Sequence, residues 1–275
     1  MKQHYPQMTF EFDESRKAVW LRMKSEPVPC FTPVLLNSLK DFFNDVRSMH
    51  KRSRNLEYRY VIGASGVPGV YNLGGDLQLF MQAIMNRERD ILIDYAVNCI
   101  DTLYEMISHL QCDGLTTISL VCGDALGGGF EAALAANVLI AEKGSRMGLP
   151  EVLFNLFPGM GAYSLLSRRI GCKAAEKMIL SGRIYLAEEL FEMGIVDILA
   201  EKAQGNQAVS DYIAEAERSP NSRLAMQKVV DYCHPLFYRE LLDIVSIWVD
   251  AALKLTDKDL KTMSYLVKKQ RAKFS

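Results

Sequence analysis

The spacing of apolar residues divides the first half of the chain into strand-like and helix-like segments. Short apolar or alternating runs predict an early hairpin over residues 9–12 and 18–23. Residues 34–49 have helical spacing, and a longer helical pattern over residues 77–110 predicts a helix that is kinked or broken near residues 86–89. Further strands are predicted at residues 58–62, 116–121 and 137–141. Because strands and helices alternate, the pattern indicates a parallel sheet with crossover helices.

Helical patterns dominate the second half of the chain. They are predicted at residues 161–170, 173–180, 186–193, 207–218, 221–232, 236–255 and 257–271. The part after residue 200 has no strand pattern, which predicts a core domain at residues 1–200 and a C-terminal helical subdomain at residues 201–275. An apolar helix face over residues 241–253 is expected either in the core or as a surface that covers a ligand or another subunit.

A glycine-rich turn followed by a helix is the first candidate for chemistry. An apolar strand leads into Gly127, Gly128 and Gly129, Glu131 lies in the first turn of the next helix, and Glu151 follows after a second strand. Glycines let a backbone approach a ligand closely, and N–H groups at such a turn can hold an anionic oxygen. Two glutamates nearby could move protons, which indicates acid–base chemistry on a carbonyl compound. Taken singly, each feature also fits a tight packing turn or a favourable charge at a helix start.

A second turn of the same kind lies upstream. The sequence NLGGD at residues 72–76 follows a strand pattern and precedes a helix pattern. An oxyanion hole needs two donors that converge on one oxygen, and two such loops could each supply one. The alternative is an ordinary strand-to-helix turn in which Asp76 caps the helix.

Several ordered motifs together resemble the crotonase (enoyl-CoA hydratase/isomerase) superfamily. They are NLGGDL, then ALGGGFEAALAANVLIAE, then MGLPEVLFNLFPGMGA, and finally AAEKMILSGRIYLAEELFEMGIVD at residues 174–197. The resemblance extends from about residue 58 to residue 198. It implies an α/β fold, a crotonase-like spiral of ββα units with a C-terminal helical subdomain.

Within that superfamily the chain looks most similar to the bacterial diffusible-signal-factor synthases. The features are the hole motif YNLGGDL, glutamates at both carboxylate positions, a long helix over residues 77–108, and an N-terminal segment, residues 1–50, without the usual entry-strand pattern of hydratases. Carried over by position, the superfamily implies an oxyanion hole from the N–H groups of Gly75 and Gly128. It implies Glu131 and Glu151 as the acid–base pair. Similarity to the synthases adds Met160 and Trp248 as acyl-pocket residues.

The resemblance implies an enzyme that needs no cofactor and no metal. Glu151 would remove the C2 proton of a 3-hydroxyacyl-acyl-carrier-protein, and Glu131 would protonate the departing hydroxyl, with the two roles shared or reversed as alternatives. Hydrolysis of the thioester would then release a cis-2-unsaturated fatty acid, a quorum-sensing signal. One alternative is an enoyl-CoA hydratase or isomerase acting on coenzyme A thioesters. Another is a non-catalytic protein of the same fold.

Composition excludes several other kinds of function. The formal net charge is −1, so no overall field attracts nucleic acid or an anionic membrane. No apolar run approaches the length of about 20 residues that spans a bilayer, and the first residues are polar and mixed, so a cytoplasmic protein is expected. The six cysteines form no CxxC pair, the four histidines form no HExxH motif, and no GxSxG elbow occurs. A mechanism based on carboxylates is what this inventory permits.

The resemblance also implies partners. An acyl-carrier protein is acidic, so basic residues near the substrate entrance would help it to dock. The candidates are Lys51, Arg52, Arg54, Arg87 and Arg89, and the alternative is an ordinary solvated surface. The superfamily implies a homo-oligomer, a trimer or a dimer of trimers. Similarity to the synthases implies a sensor-kinase regulator.

Overall fold

Two sheets contain the ten strands of the computed structural model, which describes residues 4–52 and 58–274. The strands are β1 Met8–Asp13, β2 Ala18–Met23, β3 Tyr60–Ser65, β4 Gly69–Asn72, β5 Thr116–Val121, β6 Gly123–Leu126, β7 Val138–Glu142, β8 Arg146–Gly148, β9 Ile184–Leu186 and β10 Ile198–Ala200. The larger sheet has the order β1-β2-β3-β5-β7-β10, and the smaller has the order β4-β6-β8-β9. Only the β1–β2 and β8–β9 pairs are antiparallel among these strands.

The chain passes repeatedly from the larger sheet to the smaller one. Strand β3 in the larger sheet is followed by β4 in the smaller sheet, β5 by β6, and β7 by β8. Helical segments follow each pair, so the repeating unit is ββα. The predicted hairpin, parallel sheet and spiral of ββα units are therefore confirmed. The strands of the smaller sheet were not predicted, because runs of three or four residues beside glycine turns carry little periodicity.

Helices surround the two sheets. They are α1 Pro33–Arg52, α2 Leu77–Met85, α3 Arg89–Ile107, α4 Gly128–Leu134, α5 Ala162–Ile170, α6 Cys172–Ser181, α7 Ala187–Glu192, α8 Gly205–Ala216, α9 Pro220–Cys233, α10 Tyr238–Ala252 and α11 Asp257–Phe274. None of these helices, over the described residues, is long and apolar enough to cross a membrane.

The predicted break near residues 86–89 is confirmed. Helix α2 ends before Asn86, Arg87 has a positive φ of 56°, and α3 begins at Arg89. A non-glycine residue in this left-handed region cannot continue a right-handed helix, so two helices replace one. The expectation of one long helix over residues 77–108, which supported the resemblance to the synthases, is therefore wrong.

The C-terminal helices pack on different parts of the molecule. Helix α8 covers the outer face of the larger sheet, where Val209 and Ile213 pack against residues that include Trp20 and Ile62. Helix α10 instead packs against α3 and contributes Trp248 to the main core. These helices thus share cores with the first 200 residues, and the boundary at residue 200 stays a prediction.

Candidate active site

The two glycine turns adjoin each other. Gly74 has a φ of 95°, and a Cβ at this position would lie 2.8 Å from the carbonyl oxygen of Leu126 and 3.0 Å from the nitrogen of Gly128. A Cβ on Gly128 would in turn lie 3.5 Å from the nitrogen of Gly75. Glycine is needed at residue 74 for its left-handed conformation and for this close approach. The structure therefore brings together the two backbone segments that were predicted to form an oxyanion hole.

Both predicted donor residues border the same cavity. Gly128 is the first residue of α4, so its N–H has no acceptor within that helix. The N–H of Gly75 likewise has no protein acceptor among the hydrogen bonds of residues 4–52 and 58–274. Two adjoining backbone donors without protein acceptors are what an oxyanion hole requires. Their catalytic role stays a prediction.

A buried tyrosine holds the upstream turn in place. The hydroxyl of Tyr95 accepts a hydrogen bond of 3.0 Å from the backbone N–H of Asp76 and donates to the carbonyl oxygen of Phe31. The N–H of Phe31 donates to the carbonyl oxygen of Gly74 at 2.8 Å. The Tyr95 hydroxyl and the backbone of Phe31 thus hold the turn on both sides of Gly75, at Gly74 and at Asp76. Tyr95 was not predicted, because it lies 19 residues from the turn that it contacts.

The Tyr95→Phe variant is expected to lower kcat about 10- to 100-fold, because it releases the residue beside Gly75 and small displacements of a donor are costly. KM is expected to change less than about threefold, since the hole acts mainly on the transition state. Steady-state kinetics with an acyl thioester, the substrate class that the resemblance implies, measure both. Tyr60→Phe is the matched control, because its buried hydroxyl bonds to Glu217 and does not border the cavity. Equal effects of the two variants on kcat would contradict the positioning role.

Glu131 is buried and anchored by main-chain donors. Its side chain is only 1% exposed, and its Oε1 accepts hydrogen bonds from the N–H groups of Met160, at 2.8 Å, and Ala162, at 3.0 Å. Helix α4 projects the side chain toward the start of α5. The two amides stabilise the charged form of the carboxyl group. The sequence offered no signal for this contact, because backbone donors about 30 residues away have no side-chain signature.

Glu151 faces Glu131 from another element. It lies in a 3-10 helix, Pro150–Phe154, directly after the loop that follows β8. Its Oε2 is buried and has no hydrogen-bond partner among the described residues. A Cβ at Gly127 would collide with its Oε1, so the glycine turn leaves room for this carboxyl group. The structure thus brings both predicted glutamates to the predicted hole.

The surroundings raise the pKa values of both carboxyl groups. Burial raises the pKa of Glu131 to about 7, although its two amide hydrogen bonds oppose the rise. Burial, and after it the negative charge of Glu131, raises the pKa of Glu151 to about 8. Two carboxyl groups that interact in this way share protons rather than ionise independently. Near neutral pH one of them is protonated, mainly Glu151, and the other is charged, mainly Glu131.

The rate of an acid–base reaction at this pair is expected to have a bell-shaped pH dependence with both limbs between about pH 7 and pH 8. Below this window both carboxyl groups hold protons and no base remains, whereas above it both are charged and no acid remains. The profile of kcat/KM against pH measures the limbs. A profile that is flat from about pH 5 to pH 9 would contradict the proposed proton sharing.

The four residues predicted to be catalytic, Gly75, Gly128, Glu131 and Glu151, border one cavity of about 510 Å³. Met160 and Trp248 border it too, and the indole of Trp248 lies 5.0 Å from the Phe80 ring, centroid to centroid. A Cβ at Gly159 would collide with that indole, so the glycine allows the ring to pack here. The position of both residues fits an acyl pocket, and that role stays a prediction. Arg146, paired with Asp124, and Lys269 also border the cavity, although neither was predicted as a site residue.

The basic residues proposed for carrier docking lie elsewhere. Lys51 and Arg52 are exposed at the end of α1, and Arg89 pairs with Asp250. Neither these three nor Arg87 borders the cavity, and Arg54 lies outside the described residues. Their role in docking stays a prediction.

Comparison with known proteins decides the family. The family model described as enoyl-CoA hydratase/isomerase matches residues 31–235. The chain belongs to the enoyl-CoA hydratase/isomerase family. A relative in Arabidopsis thaliana, named probable enoyl-CoA hydratase 2, mitochondrial, is 29% identical over 195 residues, which cover 70% of this chain. The chain spans 61% of that relative's length and 25% and 29% of two larger relatives.

Solved structures of this family share the fold. Human mitochondrial delta3-delta2-enoyl-CoA isomerase superposes with a TM-score of 0.78 at 19% identity, over 97% of this chain and 99% of that one. The enoyl-CoA hydratase of Bacillus halodurans gives 0.76 at 19% identity, over 94% of this chain and 98% of that one. The expectation that residues 1–50 lack an entry-strand pattern is wrong, because β1 and β2 lead directly into the larger sheet.

Proposed function

We propose that this family member catalyses the reversible addition of water to the C2–C3 double bond of a 2-enoyl thioester of coenzyme A. The observation that carries the proposal is the pair of carboxyl groups, Glu131 and Glu151, beside the adjoining amides of Gly75 and Gly128. Addition of water needs one base and one acid at the same time. A pair that shares one proton near neutral pH supplies both.

The hole would bind the thioester carbonyl oxygen. With that oxygen between the two N–H groups, the negative charge of an enolate is stabilised, and one such donor is typically worth about 2.7–4 kcal/mol in the transition state. Glu131 would take a proton from water as the oxygen attacks C3, and Glu151 would give its proton to C2. The two amide hydrogen bonds to Glu131 favour its charged form, whereas Glu151 Oε2 has no partner among the described residues, so the shared proton rests on Glu151, the group that needs it for hydration. Dehydration follows the same steps in reverse.

The carrier proposal follows from the relatives. The family description and the names of the plant relative and of both structural neighbours refer to enoyl-CoA. These names support coenzyme A thioesters better than acyl-carrier-protein thioesters. An isomerase would move a double bond with the same hole. The presence of two carboxyl groups rather than one favours water addition here.

The second candidate is the diffusible-signal-factor synthase. The motif YNLGGDL and the two glutamates support it, because the same hole could stabilise the tetrahedral oxyanion formed when water attacks the thioester carbonyl. In this reading the substrate is a 3-hydroxyacyl-acyl-carrier-protein and the product is a free cis-2-unsaturated acid. Two of its supporting features, the long helix and the N-terminal segment, are not upheld. The carrier protein, the sensor kinase and the homo-oligomer stay proposals.

Product analysis separates these candidates. The purified protein is incubated with 3-hydroxydodecanoyl-CoA and, separately, with the same acyl group on acyl-carrier protein, and products are identified by mass spectrometry. The hydratase proposal predicts dodecenoyl-CoA with its thioester retained. Free dodecenoic acid from the carrier-protein substrate would support the synthase instead. Either activity should be lost in Glu131→Ala and Glu151→Ala, and no turnover of either substrate by the wild-type protein would contradict both.

A further inference from the structure

We propose that the part of the cavity bordered by Gly63, Tyr71 and Met106 selects thioesters with long apolar acyl chains over short ones. The inference rests on the proposed function, because it assumes that the cavity holds an acyl thioester. Three observations support it: the cavity extends along α3, Gly63 borders it without a side chain, and its lining is apolar.

One face of α3 lines the cavity from Tyr95, beside the predicted hole, to Met106. Tyr95, Cys99, Thr102, Leu103 and Met106 all border it, and they recur at the three- and four-residue spacing of one helix face. Tyr95 holds the turn at Gly75. Cys99 borders the same cavity as Glu131 and Glu151, and burial, followed by the charge of Glu131, raises the pKa of its thiol. Met106 is seven residues beyond Cys99, which corresponds to about 10 Å along a helix.

A glycine in a central strand leaves room for the cavity beside Met106. Gly63 lies within β3, and a Cβ there would meet Met106 Cε and the Tyr71 hydroxyl at 3.7 Å and the Ile118 carbonyl oxygen at 3.8 Å. These are ordinary contact distances, so a methyl group fits but a larger side chain would extend into the cavity. Leu21, Leu39 and Phe43 also border the cavity and make its lining apolar.

The distance of about 10 Å along α3 between Cys99 and Met106 sets the length of acyl chain that fills this part of the cavity. With carbon–carbon bonds of about 1.5 Å, a chain needs at least about seven bonds beyond C3 to cover 10 Å, which corresponds to an acyl group of about ten carbons or more. A four-carbon chain ends one bond beyond C3 and leaves the apolar end unfilled. Each buried methylene adds about fourfold to binding, so the difference between short and long chains should be large.

Binding of saturated thioesters tests the selection without any turnover. Isothermal titration calorimetry with dodecanoyl-CoA and butanoyl-CoA is expected to show at least about 100-fold tighter binding of the longer chain to wild type. Gly63→Leu should weaken dodecanoyl-CoA binding at least about 30-fold, with butanoyl-CoA within about threefold. Gly63→Ala should weaken dodecanoyl-CoA binding by less than Gly63→Leu does. Gly66→Leu is the matched control, because Gly66 is exposed on the loop after β3 and does not border the cavity.

Equal weakening of both thioesters by Gly63→Leu, or no weakening of either, would overturn the proposal. If circular dichroism shows that Gly63→Leu does not fold, Met106→Ala provides the test instead. Removing that side chain should raise the affinity for tetradecanoyl-CoA relative to dodecanoyl-CoA, and an unchanged ratio would overturn the proposal. Hydration of dodec-2-enoyl-CoA is measured in parallel. Loss of chain-length preference with intact hydration refutes only this inference, whereas preference without hydration refutes only the proposed function.

Discussion

Replacing Glu151 by glutamine is expected to slow the hydration of dodec-2-enoyl-CoA about 10³-fold. The amide has nearly the size of the carboxyl group but cannot give a proton to C2. Glu131→Gln should have a similar effect, since its amide oxygen can still accept the hydrogen bonds from Met160 and Ala162 but cannot take a proton from water. Because the two groups act as a unit, the double variant should be little slower than the slower single variant.

Stopped-flow or steady-state absorbance at the enoyl thioester band measures these rates. Glu192→Gln is the control, because Glu192 is exposed on α7 and does not border the cavity. Thermal denaturation of each variant checks that the fold is retained. A reduction of less than about tenfold in either active-site variant would contradict proton transfer by that residue.

Gly74→Ala is expected to reduce kcat about 10²- to 10³-fold, the scale of losing one oxyanion donor. The new Cβ would lie 2.8 Å from the Leu126 oxygen and 3.0 Å from the Gly128 nitrogen. Both neighbours are backbone atoms, so the two turns must separate, and the amides of Gly75 and Gly128 can no longer converge on one oxygen. The variant also forces alanine into a left-handed conformation, which destabilises the fold by about 1 kcal/mol or more.

Gly69→Ala isolates the second effect. Gly69 also has a positive φ, 72°, but a Cβ there would meet no atom within 4 Å. This variant should show a comparable loss of thermal stability from backbone strain while its kcat stays within about twofold of wild type. If Gly69→Ala and Gly74→Ala lowered kcat equally, the hole would not depend on the contact between the two turns.

Much of the fold could be predicted from periodicity. The hairpin of β1 and β2, the buried strand β5 and the helix α1 all have runs long enough for their period to be clear. The short strand β10 and the strands of the smaller sheet could not be predicted, because three or four residues do not define a period. The break between α2 and α3 was predictable as an interruption of the apolar pattern, whereas its cause, the left-handed conformation of Arg87, was not.

Some residues of the candidate site could likewise be predicted from the sequence, and others could not. Glycine turns and the two glutamates have fixed spacing in the sequence, so Gly75, Gly128, Glu131 and Glu151 could be proposed directly. The groups that orient them come from distant parts of the chain. Examples are the main-chain donors at Met160 and Ala162 and the hydroxyl of Tyr95. Such contacts arise only when the helices pack, and no local pattern records them.

Oxygen-18 labelling tests the central claim most directly. Dodec-2-enoyl-CoA is incubated with the wild-type protein in water enriched in oxygen-18, and the products are analysed by mass spectrometry with fragmentation. The account predicts 3-hydroxydodecanoyl-CoA that carries the label on C3, with the thioester intact. An unchanged enoyl thioester, or label found only in a released carboxylate, would contradict the assignment of Glu131 and Glu151 to the addition of water.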